Sequence, residues 1–192
     1  MRDQYDVIVI GGGPAGCTAA ALIAEAGHSA LLIEREKMPR FHVGKSLMPE
    51  TYWPLQRLGL LDRMKESEFV TKKSVQFVTA TGKESEPFYF TEHDPRECST
   101  TWQVERADFD QMMFERAAEL GADCYDATRV MDIMMDEGEV ARGVKLKLAD
   151  GTLKEVYAKV VIDGSGQQSL IAHKLGIREE NPNLRKAAVW GY

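Results

Sequence analysis

A glycine pattern near the N-terminus has the spacing of a phosphate-binding turn. Gly11, Gly13 and Gly16 follow the β-branched run at residues 7–10 in G-x-G-x-x-G order, directly before a helix-forming stretch. The first glycine permits a tight turn, the second lets the backbone approach a pyrophosphate, and the third lets helix and strand pack closely. Because the free N–H groups and the positive dipole end of the helix face this turn, the pattern favours an anionic ligand.

An acidic residue stands where a ribose would be bound. Glu34 ends the apolar run at residues 30–33, roughly 20 residues past the glycines, where a carboxylate can accept hydrogen bonds from a ribose diol. Pro14 and Ala15 lie at the start of the predicted helix, where the missing proline N–H costs nothing, and Gly27 suits its end. Strand, glycines, helix, strand and acid therefore occur in the order of a dinucleotide-binding βαβ unit.

The rest of the chain predicts the elements that hold this unit. We predict a loop at 35–50, a helix at 50–61, a hairpin joining 75–79 to 88–90, a strand at 100–104, a helix at 106–120, a meander at 128–158, a buried strand at 159–163 and a helix at 169–175. This order indicates an α/β fold: a doubly wound parallel, Rossmann-like sheet with a β-meander crossover and the start of a second β-sheet layer on the substrate side.

Composition and charge narrow the class of protein. The chain has 192 residues, 44% of them hydrophobic and 28% charged, with a net charge of −6, which is typical of a globular domain. No Lys or Arg run forms a basic patch, so nucleic acid and anionic membranes are poor partners. No apolar run reaches transmembrane length, and because the first predicted strand begins so early in the sequence we expect no signal peptide.

The cysteines and histidines predict neither a disulfide framework nor a metal site. Cys17, Cys98 and Cys124 are odd in number and far apart, and the four histidines lack ligand spacing. These features fit a reducing, cytoplasmic setting. Cys17 lies in the first turn of the first helix, where a thiol pKa can fall. The alternative is a small apolar packing residue.

Two glycine-bearing turns together resemble those of a known family. The G-G-G-P-A-G turn with Glu34 and Arg35, and the D-G-S-G turn at 163–166 after a buried strand, resemble FAD-dependent oxidoreductases of the p-hydroxybenzoate hydroxylase type. The segment R-F-H-V-G-K-S-L-M-P at 40–49 is similar to the R-F-x-x-G-E-S-L-x-P loop of flavin-dependent halogenases. The segment at 102–110, W-Q-V-E-R-A-D-F-D, is similar to their Q-V-x-R-x-x-F-D segment.

The chain also departs from the halogenase pattern. Lys45 stands where that family usually has Glu, and the W-x-W-x-I-P segment and the later G-D segment are absent. We interpret residues 1–192 as an FAD-binding domain, with 66–104 starting a substrate-side β layer, in a chain that continues beyond its last residue. Val189, Trp190 and Tyr192 suggest a strand that pairs with this continuation.

The resemblance implies FAD as the cofactor and assigns its ligands. It places Gly11, Gly13, Pro14, Ala15 and Gly16 at the pyrophosphate, Glu34 at the adenosine ribose, Arg35 near the adenine, Gly44, Lys45 and Ser46 in a strap over the flavin, Gln103 and Arg106 near phosphate or ribityl, and Asp163 and Gly164 beside the dinucleotide. Alternatives stay open, since Arg106 could merely open a helix and Gln103 could be a strand surface residue. A buried Asp163 would need a partner.

One lysine is a candidate catalytic residue. Lys72 ends the segment F-V-T-K at 69–72, which resembles the F-V-x-K segment carrying the active-site lysine of phenol- and pyrrole-type halogenases. An ammonium there can hydrogen-bond hypohalous acid and direct it to the substrate. The alternative, and the more common environment of a lysine, is a solvated side chain beside Lys73.

The resemblance leaves more than one function open. One class is an FAD-dependent oxidoreductase that uses reduced flavin and oxygen, either a halogenase acting on an aromatic or other electron-rich small molecule, or a hydroxylase, monooxygenase or prenyl reductase of the same fold. The other class is an FAD-binding module that is inactive on its own, and a plain NAD-dependent dehydrogenase is a weaker third. Because no second nucleotide motif is visible, the electrons are expected to come from free reduced flavin or a separate flavin reductase.

Overall fold

The N-terminal βαβ unit is present in the computed structural model, which describes residues 1–138, 140–184, 187 and 189. It consists of β1 (Gln4–Ile10), α1 (Pro14–Glu25) and β2 (Ala30–Ile33). The later elements are β3 (Lys45–Ser46), a 3-10 turn (Pro49–Thr51), α2 (Tyr52–Arg57), α3 (Leu61–Glu66), β4 (Val70–Lys72), β5 (Ser74–Val75), β6 (Phe88–Tyr89), α4 (Phe90–His93), a 3-10 turn (Glu97–Ser99), β7 (Thr101–Val104), α5 (Arg106–Glu119), β8 (Asp123–Tyr125), β9 (Arg129–Met135), β10 (Ala141–Lys147), β11 (Leu153–Asp163), a 3-10 turn (Gly166–Gln168), α6 (Leu170–Lys174) and a 3-10 turn (Pro182–Leu184).

The main sheet has six strands in the order β8-β2-β1-β11-β10-β9. The first four are parallel, whereas β9, β10 and β11 form an antiparallel meander that returns the chain to β1. Ile10 lies opposite both Ile33 and Asp163, so the glycine turn, Glu34 and Gly164 all follow strands that end at the same edge. In open α/β sheets ligands bind at this carboxyl edge. The predicted α/β fold with a meander crossover is confirmed.

The hydrophobic core occupies both faces of this sheet. On one face α1 and α5 pack over Val9 and Leu32, whose side chains are fully buried. On the other face Ile8 and Leu31 join a second cluster that extends over the meander to Leu146. The alternation of side chains along each strand accounts for both clusters, and together they fix the glycine turn at the sheet edge.

Two small sheets lie outside the main sheet, and the first of them takes a strand, β3, from within the loop predicted at 35–50. The order β3-β7-β4 is antiparallel throughout, and β5 pairs with β6 beside it. The hairpin predicted between 75–79 and 88–90 is shorter than expected, because β5 and β6 pair only through Ser74–Val75 and Phe88–Tyr89, and Phe90 begins α4. Apart from β3, the strands of these sheets lie in the part of the chain, 66–104, that we interpret as the start of a substrate-side layer. That interpretation remains a prediction, and Trp190 and Tyr192 of the expected C-terminal strand lie outside the described residues.

The structure corrects several predicted boundaries. The helix expected at 50–61 ends at Arg57, because Gly59 adopts a positive φ of +67° and the chain restarts as α3. The strand expected at 159–163 is continuous from Leu153, so the last meander strand and the buried strand are one. Strand β8 was not predicted, because its three residues are too few to show a period.

The described part of the chain has neither a membrane-spanning helix nor a metal-binding cluster. None of the helices in the described part of the chain has the length and hydropathy that a membrane crossing requires. Within residues 1–138 and 140–184, no group of three His, Cys, Asp or Glu side chains is arranged to hold a metal ion.

Candidate cofactor site

The glycine turn requires the first and last glycines of the motif for its own packing. Gly11 has a φ of +101°, and its N–H donates to the carbonyl of Ile33 at 2.8 Å. A Cβ on Gly16 would lie 1.9 Å from the carbonyl oxygen of Gly11, far inside any real contact. Gly164 closes the turn from the neighbouring strand, because its N–H donates to the carbonyl of Ile10 at 2.8 Å. These residues therefore shape the turn through backbone contacts alone.

Gly13 is different, because the protein leaves space around it. Its φ of −85° is available to any residue, and a Cβ there would meet only Arg106 Nη2 at 3.6 Å and Arg40 Nη2 at 3.9 Å. Pro14 opens α1 at this point and Ala15 is exposed. The first N–H groups of a helix lack intrahelical acceptors. The space before Gly13 is thus an open cradle of N–H groups and two arginines, which fits a diphosphate.

Glu34 is tied to the glycine turn. Its carboxylate is buried and accepts hydrogen bonds from the N–H groups of Gly12 at 2.9 Å and Glu36 at 3.0 Å. Arg40 Nη2 lies 3.3 Å away as an ion-pair partner. The carboxylate thus lies at the turn, where the resemblance places the adenosine ribose, and the ribose contact itself remains a prediction. Arg35, expected near the adenine, is half-exposed and pairs with Glu36.

A buried ion cluster lies beneath the cradle. Arg106 opens α5 and forms a two-pronged ion pair with Asp110, at 2.5 Å from Nε and 2.6 Å from Nη2. Arg40 Nη1 lies 3.0 Å from the same carboxylate. Arg106 therefore opens a helix and also faces Gly13, and its contact with phosphate or ribityl remains a prediction. Burial, followed by the charges of Arg106 and Arg40, lowers the pKa of nearby His42.

The predicted strap lies against β7. Lys45 pairs with Val104 and Ser46 with Gln103, and the N–H of Leu47 donates to a carbonyl of the same strand at 2.9 Å. The side chains of Lys45, Ser46 and Gln103 are exposed. The structure therefore brings the strap and Gln103 together, whereas the cavity of about 160 Å³ that Arg106 lines is bordered by other residues, Phe41 and His42 among them. Gly44 precedes the strap strand, and the flavin contacts of all these residues remain predictions.

Asp163 has its partners within the chain. One carboxylate oxygen accepts the N–H of Ser165 at 3.0 Å and the other accepts the N–H of Ile171 at 2.8 Å. The carboxylate therefore orders the turn after β11 and the start of α6. This supplies the partner that a half-buried charge needs, and a cofactor contact of Asp163 remains a prediction.

Lys72 is buried, so the expectation of a solvated side chain is wrong. The residue is 7% exposed, whereas Lys73 is exposed. Its Nζ donates to the carbonyl of Leu47 at 3.0 Å, lies 3.9 Å from Met48 Sδ, and stands 5.2 Å from the centre of the Phe90 ring. No ion pair to Lys72 is found among the described residues. Burial lowers its pKa.

Sequence reasoning missed three residues of this site. Gly12 supplies an N–H to Glu34 and has no room for a Cβ, which would lie 2.8 Å from the Glu34 Cβ. Arg40 begins the halogenase-like segment at 40–49, but no function was predicted for its side chain. Asp110 is the last residue of the halogenase-like segment at 102–110 and was likewise assigned no function. The i,i+4 spacing of Arg106 and Asp110 signals an ion pair on a helix, so Asp110 could have been found.

Cys17 is a packing residue. It is fully buried in the first turn of α1, and burial raises its pKa well above the usual value. The helix terminus therefore does not activate this thiol, which confirms the packing alternative.

Comparisons with known proteins show which family this chain belongs to. The model of the FAD binding domain family matches residues 4–190. Flavin-dependent halogenase armH3 of Armillaria mellea is 34% identical over 190 residues, which is 97% of this chain and 37% of that protein. The 1H-pyrrole-2-carbonyl-[peptidyl-carrier protein] chlorinase of Pseudomonas fluorescens is 33% identical over 207 residues, covering 98% of this chain and 45% of that protein.

A solved halogenase structure is similar to most of this chain. The myxobacterial chondrochloren halogenase CndH, described as a variant of FAD-dependent halogenases, superposes with a TM-score of 0.81 and 37% identity over 88% of this chain and 38% of its own. The chain thus spans less than half the length of these relatives. The glycine turn, the open cradle at Gly13 and the family match over residues 4–190 together show that this chain belongs to the FAD binding domain family.

Proposed function

We propose that this chain is the FAD-binding part of a flavin-dependent halogenase that acts on an aromatic or other electron-rich small molecule. The observation that carries the proposal is the environment of Lys72: a buried ammonium with one carbonyl acceptor and otherwise weak partners. When bound and reduced, FAD would supply the electrons that activate oxygen. The similarity to halogenases over nearly all of the chain supports the same class.

The proposed roles follow from where the side chains lie. Gly13, Pro14 and Ala15 would receive the diphosphate, with Gly11 and Gly16 shaping the turn, and Arg106 would face the phosphates from α5. Lys45 and Ser46 would lie over the flavin, with Gln103 beside them. Arg35 and Glu34 would bind the adenosine end.

Lys72 has donor capacity to spare. An ammonium carries three N–H groups, and the carbonyl of Leu47 takes one at 3.0 Å. The sulfur of Met48 and the face of Phe90 are weak acceptors. A hypohalous acid oxygen would therefore be a better partner than either, and Lys72 would orient it toward the substrate carbon.

The proposed substrate is an aromatic or other electron-rich small molecule, and the proposed partner is a flavin reductase. One relative acts on a carrier-protein-linked pyrrole by its name, so both free and carrier-bound aromatic substrates suit the proposal. Reduced flavin would come from a separate reductase, since the sequence has one dinucleotide motif. The second candidate is an aromatic hydroxylase of the same fold, and Lys72 favours the halogenase because hydroxylation needs no orienting ammonium for hypohalous acid.

The test compares two adjacent lysines in the full-length protein. Lys72→Ala, and Lys72→Met, which keeps the packed stem, should lower single-turnover halide incorporation by a factor of about 100 or more, as loss of one charged transition-state donor does. Lys73→Ala, at an exposed site, should leave it unchanged. FAD affinity should be the same in all three variants. Unchanged incorporation in both Lys72 variants would remove Lys72 from the mechanism.

A further inference from the structure

We propose that Asp110 is a positioning residue that holds Arg40 and Arg106 as a two-arginine clamp for the diphosphate of the cofactor. Nothing in the halogenase-like motifs assigns a role to Arg40 or Asp110. The inference rests on FAD binding and does not depend on halogenation.

Both guanidinium groups converge on Gly13. A Cβ on Gly13 would lie 3.6 Å from Arg106 Nη2 and 3.9 Å from Arg40 Nη2. The arginines come from different parts of the chain, one from the loop after β2 and one from the first turn of α5. Their common neighbour is the open cradle, and guanidinium groups bind phosphate through paired N–H donors.

Asp110 is the residue that holds both. Its carboxylate takes the two prongs of Arg106 and also lies 3.0 Å from Arg40 Nη1. Asp110 has no exposed surface, so no ligand reaches it from solvent. Any effect of Asp110 on the cofactor must therefore pass through the arginines.

Arg40 retains hydrogen-bonding capacity. Its side chain is 9% exposed, and Nη1 makes no hydrogen bond within the described part of the chain, although the ion pair with Asp110 holds it by charge. Buried polar groups normally have their donors filled. Nη1 is buried against Asp110 and serves to anchor the guanidinium, whereas Nη2, which lies 3.3 Å from Glu34 and faces Gly13, is the atom that would meet an anionic partner.

The charge of the cluster makes the proposal testable. Glu34 and Asp110 balance Arg40 and Arg106, so the cluster is neutral overall. If Asp110 merely screened the arginines, its neutralisation would strengthen the binding of an anion. If Asp110 positions them, an amide at this site would place its NH₂ group against one of the two guanidinium groups. Because both groups are hydrogen-bond donors, that arginine would leave its position.

The test measures the binding of ADP and of adenosine to the full chain, by calorimetry, because their difference isolates the diphosphate. Asp110→Asn should lower ADP affinity by about tenfold, as loss of a hydrogen bond to a charged group does, and leave adenosine affinity unchanged. Arg40→Lys keeps the charge but loses the fork and should act in the same direction. Asp108→Asn, an exposed acid on the same helix, is the matched control and should change neither.

Three results would overturn the proposal. Stronger ADP binding in Asp110→Asn would make Asp110 a charge screen, and equal losses for ADP and adenosine would make it a purely structural residue. If Asp110→Asn does not fold, Arg40→Lys decides alone, and an unchanged ratio of ADP to adenosine affinity would then refute the clamp.

Discussion

Substitution of two glycines in the same motif should damage the protein in two different ways. Gly13 and Gly16 are both part of the G-x-G-x-x-G pattern, but only Gly16 is packed against the backbone. A Cβ on Gly16 would lie 1.9 Å from the carbonyl oxygen of Gly11 and 3.4 Å from Val9 Cγ1. Because backbone cannot swing away as a flexible side chain can, α1 would have to move off β1.

The magnitude for Gly16→Ala follows from overpacking, which costs about 1–3 kcal/mol. For a chain of this size that corresponds to a melting temperature of the apoprotein lower by roughly 2–12 °C. For Gly13→Ala the nearest atoms would be 3.6 Å and 3.9 Å away, which are ordinary contacts, and the φ of −85° imposes no strain. The apoprotein of Gly13→Ala should therefore melt within about 2 °C of the parent.

The affinity for FAD, in contrast, should be reduced by substitution of Gly13. In Gly13→Ala and Gly13→Val the added carbons occupy the cradle, so FAD affinity should fall while apoprotein stability holds. The assay is differential scanning calorimetry of each apoprotein together with FAD titration followed by flavin fluorescence. Retention of parental FAD affinity by Gly13→Val would place the diphosphate elsewhere, and a loss of stability in Gly13→Ala as large as that in Gly16→Ala would refute the reasoning from packing.

Two further predictions concern titration. The Lys159 ammonium and the N–H and hydroxyl of Ser29 hold the pKa of Asp6 well below its usual range, so its contribution to stability is present above about pH 4, the unfolded value, and is lost as pH falls toward the folded value. Asp6→Asn should therefore have a lower free energy of unfolding than the parent near neutral pH, as measured by urea titration. The difference in unfolding free energy should shrink as pH falls from about 4 to about 2, and a difference that stays constant would contradict this. Burial raises the pKa of Cys17 and Cys98, and that of Cys124 to about 12. At about pH 8, near the pKa of a free thiol, Ellman's reagent should label the native protein slowly. After denaturation it should label all three thiols. Rapid labelling of Cys17 alone in the native protein would indicate activation by the helix terminus.

Local patterns predicted the fold better than the site. The glycine spacing and the acid at Glu34 define a βαβ unit within roughly 30 residues of chain, because each part acts on its sequence neighbours. The boundary at Gly59 was missed, because whether a glycine ends a helix depends on its φ, and spacing alone does not show it. Strand β8 forms because β2 offers it a partner, at Leu31 opposite Asp123.

The chemistry of the site depends on contacts between distant segments. Lys72 is buried because Leu47 and Phe90 close over it, and neither is near it in sequence. Arg40 gains its place from Glu34 and Asp110 together. Lysines are mostly exposed, so composition argued for a solvated Lys72, and only the tertiary structure shows otherwise.

One single-turnover measurement decides whether this chain serves a halide-using flavoenzyme. The full-length protein is loaded with chemically reduced FAD and mixed with oxygen and an electron-rich phenol, with and without bromide. We expect a brominated phenol that forms only with bromide and approaches one product per flavin oxidised. A hydroxylated phenol, or hydrogen peroxide alone, formed equally with and without bromide would contradict it.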